Sequence, residues 1–256
     1  MTKQSAELST LKRGLEILGL FLDTNSRWDT GLIAQRLHLT KSTTYKYIQT
    51  LERAGFLVRE LDGSSLRLGP RILELAHSAR NPSHIADVAH PILADLVAAT
   101  NETALLAARM GVQAVCLAKV ESRHTLKLSY ELGDTYPLHA GGTAQVLLAW
   151  LDEQDLSKIV SALEFNAYTE KTIHSVEAFR ERLASIRAQG YAVSEGELDV
   201  GTFTVAAPVF DRNRQVIASI SLGGPLQRFN DAARERYPMM VRDAADQVAE
   251  SLTRSV

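Results

Sequence analysis

At 256 residues, 45% hydrophobic and 23% charged, the chain is long enough to bury one large core or two smaller ones, and two domains is the expectation for this length. Few aromatics (6%) and no low-complexity tract mark an ordinary globular composition and exclude extended disorder away from the ends. A net charge of -2 argues against a nucleic-acid partner for the chain as a whole, but residues 1–69 hold 10 Lys and Arg against 7 Asp and Glu, which leaves 18 against 23 for the remainder.

The first apolar periodicity is Leu8, Leu11, Leu15, Leu18 and Leu22, which steps by three and four residues and predicts an amphipathic helix over 7–22 with these leucines on its inner stripe. The polar run DTNSRWDT interrupts it. Leu32, Ile33 and Leu37 mark a short second helix ending near His38. Thr40 is placed to cap a third, because its hydroxyl can accept from the free amides of the first turn, and Gly55 ends that helix after Ala54. With Thr44, Ile48 and Leu51 turned inward, the opposite face carries Ser42, Thr43, Lys46, Gln49, Thr50 and Arg53, all of them hydrogen-bond donors. FLVRELDGSSLRLG then reads as two strands joined by an Asp-Gly turn.

Three short helices with a tight second turn, followed by a hairpin, predict a winged helix-turn-helix whose third helix enters the major groove N-terminus first. Ser42, Thr43 and Lys46 lie nearest the bases, where hydroxyls reach phosphates or base edges and Lys46 donates to guanine or to phosphate. Lys41, Gln49 and Arg53 extend that face. Arg59 and Arg67 on the wing, with Lys12 and Arg13 on the first helix, are candidates for backbone contacts that position the protein and make binding salt-dependent. The same pattern also fits a winged helix used only for protein contacts.

Downstream, PRILELAHSARN predicts a linker helix stopped by Asn-Pro, and Ile85, Val88, Ile92, Leu93, Leu96 and Val97 predict a helix over 84–99 bent or interrupted at Pro91. The short apolar runs ALLAARM, AVCLAKV and TLKLSY predict successive antiparallel strands, in the last of which Leu126, Leu128 and Tyr130 alternate as an apolar wall. Helices follow near 142–151, 153–162 and 175–189, then a hairpin of strands at 203–210 and 216–222 and a C-terminal helix that Asn230 can cap. The fold class is therefore two-domain α+β, with helices packed on an antiparallel sheet in the second domain. The expected divisions are 1–69 for the winged helix, 70–82 for the linker and 83–256 for the larger domain. His139, Gly141, Gly142 and Thr143 form the pocket candidate, since the glycines permit close approach and offer amides near a helix start to a carboxylate; a tight turn requiring glycine reads the same way.

LKRGLEIL, IAQRLHLTKSTTYKYIQTLERAGFL, LRLGPRILELA, YPLHAGGTAQVLLAWL, IRAQGYAVSEGELDVG and VAAPVFDRNRQVIASISLGGP, in this order, resemble the IclR family of bacterial transcriptional regulators along nearly the whole chain. The resemblance implies a winged-helix DNA-binding domain, a linker helix and a GAF-like domain binding a small metabolite, in dimers or tetramers that repress or activate catabolic operons. It places Ser194, Thr204, Ser221 and Gly223 where keto-acid-binding members often have Asp, Cys, Ser and Ser, so only Ser221 matches. Ala144 and Gln145 stand where Gly-Lys is common, and Gly196 replaces one of a usual pair of glutamates. The ligand class is thereby opened to another acid, a semialdehyde or a neutral analogue.

No GxSxG, HExxH, P-loop, GxGxxG or paired-cysteine motif occurs, and the seven histidines show no metal-ligand spacing, so neither an enzyme nor a metal or cofactor is expected. The lone Cys116 fits a reducing cytoplasm, and no run of about 18 uncharged apolar residues is present to act as a membrane span. The expected partners are double-stranded DNA with a palindromic operator, a small-molecule effector and a second copy of the chain.

Overall fold

The computed structural model describes residues 3–22, 27–60, 65–80, 84–128 and 130–254. The chain divides into two compact units, Met1–Pro82 and Ser83–Val256.

In the first unit, α1 (Lys3–Gly19) runs into a short 3-10 turn and is followed by α2 (Thr30–Arg36) and α3 (Lys41–Arg53), then strands β1 (Leu57–Arg59) and β2 (Leu66–Leu68) and helix α4 (Pro70–Arg80). Both short helices start on side-chain caps: Asp29 accepts from the amides of Gly31 and Leu32, and Thr40 from Thr43. Ile17, Ile33, Ile48, Leu57 and Leu66 form the core, with Phe21, Trp28 and Leu51 packed against it. Gly55 at φ +77° ends α3, and Gly69 crosses directly over it, its amide bonded to the Phe56 carbonyl at 2.8 Å. The strands pair antiparallel, Leu57 opposite Leu68. The Asp-Gly turn between them lies outside the described residues.

The stripe expected of α1 is rotated. Ile17 is fully buried, whereas Leu11, Leu15 and Leu22 are 62, 59 and 83% exposed; the side chain of Leu8 lies outside the described residues. The apolar arc of the helix is wider than the surface α2 and α3 offer it, so part of it is left uncovered. Trp28, inside the polar run, belongs to the core and bridges to Leu66.

The second unit is an antiparallel six-stranded sheet in the order β5-β4-β3-β8-β7-β6, from β3 (Thr103–Met110), β4 (Gln113–Val120), β5 (Thr135–Pro137), β6 (Ala192–Glu195), β7 (Thr202–Phe210) and β8 (Val216–Pro225). Alternation along β3 sends Ala104 and Leu106 to one face and Leu105 and Ala107 to the other. Helices α5 (His84–Thr100) and α9 (Asp231–Arg254) cover the first face. The second carries α6 (Gly142–Gln145), α7 (Glu153–Ala162) and α8 (Val176–Gln189). Asn230 accepts from the Ala233 amide, as a cap should.

Three expectations need correction here. Residues 125–128 of TLKLSY do not form a strand: the place beside β4 is taken by β5, and these residues are tied down by Thr103 Oγ1 donating to the Leu128 carbonyl and Arg228 to that of Leu126. The helix expected over 142–151 is α-helical only through Gln145 and continues as tight turns. Strand β6 was not anticipated, because Ala192–Glu195 is too short and too polar to show a period.

Candidate functional site

Helix α3 presents Lys41, Ser42, Thr43, Lys46 and Arg53 to solvent. Among the described residues, Lys12, Lys41, Lys46 and Arg53 form no ion pair, so four cations on this unit are available to phosphate. Thr43 is held by the Thr40 hydroxyl at 2.9 Å, and Thr50 bonds back to the Lys46 carbonyl, which turns its hydroxyl away from a partner. Tyr45, nearly half exposed between Ser42 and Gln49 and bonded to Gln49 at 3.4 Å, was passed over in the sequence because an aromatic in a periodic run reads as core. The remaining three candidates are paired with acids: Arg13 with Glu16 at 2.7 Å, Arg59 with Glu52 at 3.0 Å and Arg67 with Glu60 at 3.5 Å. A phosphate can compete for these exposed pairs, but each begins from a neutralised state.

In the second unit a narrow cavity, with about 20 Å³ of free space, lies on the α6 side of the sheet. It brings together five of the expected residues, Tyr130, Gly141, Thr143, Ser194 and Thr204, with Leu105, Tyr136, Leu198 and Thr202. The others stand off it. Leu126 is 68% exposed, because its segment is not a strand and turns this side chain outward. Leu128 packs over Gly223, where a β-carbon would come within 2.5 Å of it. His139 is buried between Phe165 and Tyr168 and faces the Asn166 carbonyl at 2.9 Å. Ser221 lies beneath the cavity, accepting from Thr143 Oγ1 at 3.0 Å.

The glycine amides are not free for a ligand. Gly141 donates to Glu197 Oε2 at 3.1 Å and Gly142 to Thr204 Oγ1 at 3.1 Å. Glu197, nine-tenths buried, also accepts from Gln145 Nε2 at 2.6 Å, and Gln145 in turn accepts from Arg182. This network of Arg182, Gln145 and Glu197 fixes the start of α6 and so the shape of the cavity. Sequence reasoning missed it because its members are far apart in the chain.

No charged side chain lines the cavity, and its polar groups are hydroxyls. Among the described residues the buried Tyr136 hydroxyl, in a residue only 7% exposed, has no oxygen or nitrogen partner and only the weakly accepting Cys116 thiol beside it, and the Ser194 hydroxyl makes no hydrogen bond. Burial, with Asp199 and the Cys116 thiol nearby, pushes Tyr130 up to about 12. Burial and Cys116 push Tyr136 up as well, and burial raises Cys116 itself. Both tyrosines therefore remain neutral phenols, able to donate to a ligand oxygen. An unpartnered buried polar atom costs roughly 1–3 kcal/mol. Tyr136→Phe should accordingly leave the free protein as stable or slightly more so while weakening the effector about tenfold, a pair of opposite signs readable by calorimetry and thermal melting. A fall in stability with unchanged affinity would remove Tyr136 from the site.

Fold and site together define a winged helix-turn-helix DNA-binding protein whose larger α+β domain carries a hydroxyl-lined cavity. The sequence matches the IclR helix-turn-helix domain over residues 10–61 and the bacterial transcriptional regulator IclR C-terminal domain over 77–250. The chain belongs to the IclR family of bacterial transcriptional regulators. It is 30% identical to the HTH-type transcriptional regulator KdgR of Dickeya chrysanthemi, over 98% of this chain and 82% of that one. It is 28% identical to the transcriptional repressor IclR of Escherichia coli K12, over 95% and 90% of the two chains. A crystal structure of an IclR homologue from Microbacterium hydrocarbonoxydans, complexed with 4-hydroxybenzoate, shares the fold with a TM-score of 0.82 at 24% identity, covering 95% of this chain and 99% of that one. The chain is thus a regulator rather than an enzyme, and no described helix is long and apolar enough to cross a membrane.

Proposed function

We propose that this protein is a repressor of a catabolic operon that holds a palindromic operator as a homodimer or tetramer and releases it when a small metabolite enters the hydroxyl-lined cavity. The observation that carries the effector reading is the buried Tyr136 hydroxyl, which has only the weakly accepting Cys116 thiol beside it, in a cavity whose other polar groups are also neutral donors or acceptors. Within the carboxylic-acid and semialdehyde class this favours a carbonyl or hydroxyl at the inner end. The glycine amides expected to hold a carboxylate are already bonded, and the outer rim carries Asp134 and Asp199 without a cation. The homologue's aromatic ligand supports a small molecule, for which this cavity has to widen. Self-association is supported by the uncovered leucines of α1, an apolar strip that a second copy can bury.

Binding to the promoter fragment of a regulated operon, followed at several salt concentrations, tests the reading. Each phosphate contacted should contribute about -0.9 to the slope of log K against log salt. Lys46→Ala should weaken binding by about 1–3 kcal/mol if it meets a base, and addition of semialdehydes should release the fragment. Binding indifferent to salt would overturn the DNA assignment, and a wild-type footprint from Lys46→Ala would overturn the placement of α3.

A further inference from the structure

A second cleft in the larger unit, of about 360 Å³, opens between the last turn of α8, the end of β7, the turn after it and the middle of α9. It shares no residue with the effector cavity. Its cations are Arg187, Arg214 and Arg242, against one acid, Asp246. Three guanidiniums converge here although residues 70–256 hold 18 basic against 23 acidic residues, so the composition of the domain does not account for them. Arg187 alone is explained by the partial negative charge at the C-terminus of α8, which favours a cation in the last turn. That argument does not reach Arg214 on the β7–β8 turn or Arg242 on α9.

Nor are these charges spent on one another. Among the described residues Arg187, Arg242 and Asp246 form no ion pair, even though Arg242 and Asp246 are one helical turn apart. Arg242 instead lies against Gly190, its Cζ 3.7 Å from where a β-carbon would stand. Arg214 sits over the Phe210 ring at 5.8 Å, and Trp150 meets that ring edge-on at 5.4 Å. The floor, Ala207 and Pro208, is buried and apolar. Guanidiniums from three separate elements around an apolar floor suit an oxyanion that is bonded from several sides.

We propose that this cleft is a second ligand site, taking a small dianion, phosphorylated or dicarboxylic, gripped by Arg187, Arg214 and Arg242. Asp246 supplies an acceptor for a hydroxyl on the same molecule. The regulator then reads two signals, an uncharged or weakly charged end in the hydroxyl cavity and an anion in the arginine cleft.

The test is isothermal titration of the full-length protein with inorganic pyrophosphate and, separately, malonate. Saturable binding of either is expected, the stronger one naming the phosphoryl or the dicarboxylate source. Arg187→Gln and Arg242→Gln should each reduce the affinity about tenfold without lowering the melting temperature. Tyr136→Phe should leave it unchanged, and so should Lys46→Ala, which reports anion binding on the DNA-facing helix. Three results would overturn the proposal: no saturable binding of either anion; binding lost in Lys46→Ala but kept in Arg242→Gln; or a changed sedimentation coefficient in Arg242→Gln with no anion bound, which would make the cleft a subunit contact. Failure of the hydroxyl cavity as an effector site would show separately, in the response to Tyr136→Phe.

Discussion

Replacing Arg228 by alanine should cost the larger unit about 3 kcal/mol, or some 6–12 °C in melting temperature. Glu102 is 1% exposed, and Arg228 grips both of its carboxylate oxygens at 2.6 Å. Removing the guanidinium leaves a buried charge with no ionic partner, which is more costly than losing the pair altogether. The double replacement Arg228→Ala with Glu102→Gln should therefore recover part of the loss, and scanning calorimetry of both variants decides it. Arg228 also donates to the Leu126 carbonyl, in the segment that leads to Tyr130 at the cavity wall. Effector affinity should fall along with stability. A variant as stable as the parent would mean that water replaces the guanidinium at Glu102.

Gly69→Ala should destabilise the winged helix by about 3 kcal/mol and weaken operator binding. A β-carbon at Gly69 would be driven into the Gly55 carbonyl oxygen and would stand 2.9 Å from its carbon and 3.1 Å from that of Phe56. These are backbone atoms at the end of α3, fixed by the Gly55 turn and by the Gly69 amide bond to Phe56, so no rotamer change relieves the clash. A penalty of about 3 kcal/mol is a large share of the roughly 5 kcal/mol a small domain has in reserve. Circular dichroism and a binding assay on the full chain should show a lowered melting transition and weaker DNA binding, with effector binding retained. Normal DNA binding by Gly69→Ala would show that the wing can shift away from α3.

What the sequence made legible was local. The Thr40 cap, the Gly55 stop and the inward positions of α3 follow from spacing within one element, and each appears as expected. So do the β7–β8 hairpin and the Asn230 cap. What failed depended on partners distant in the chain. Nothing in residues 7–22 reveals that Ile17, not Leu11 or Leu15, meets the core, because that depends on where α2 and α3 lie. The alternation of Leu126, Leu128 and Tyr130 suggested a strand, but the edge of β4 was taken by Thr135–Pro137. Around the cavity, Ser194, Thr204, Gly141, Thr143 and Tyr130 were anticipated, whereas Tyr136 and the Glu197 network were not. A tyrosine in a three-residue strand and a glutamate in a loop carry no period, and only the folded chain shows what they face.

Strand β3 has one further consequence. Leu105 looks into the hydroxyl-lined cavity, while its neighbours Ala104 and Leu106 are embedded among α5 and α9 on the reverse side. One strand is thus a party wall between the cavity and the helix that follows the linker in sequence. Its pairing with β4 slips between Leu106 and Ala107, a built-in weak point just beyond Leu105. A close-packed interior responds to a filled cavity by shifting whole elements, not by compressing. A ligand that filled the cavity would press on Leu105 and so on α5 through the thickness of a single backbone, with no chain of intermediaries between the two sides of the sheet.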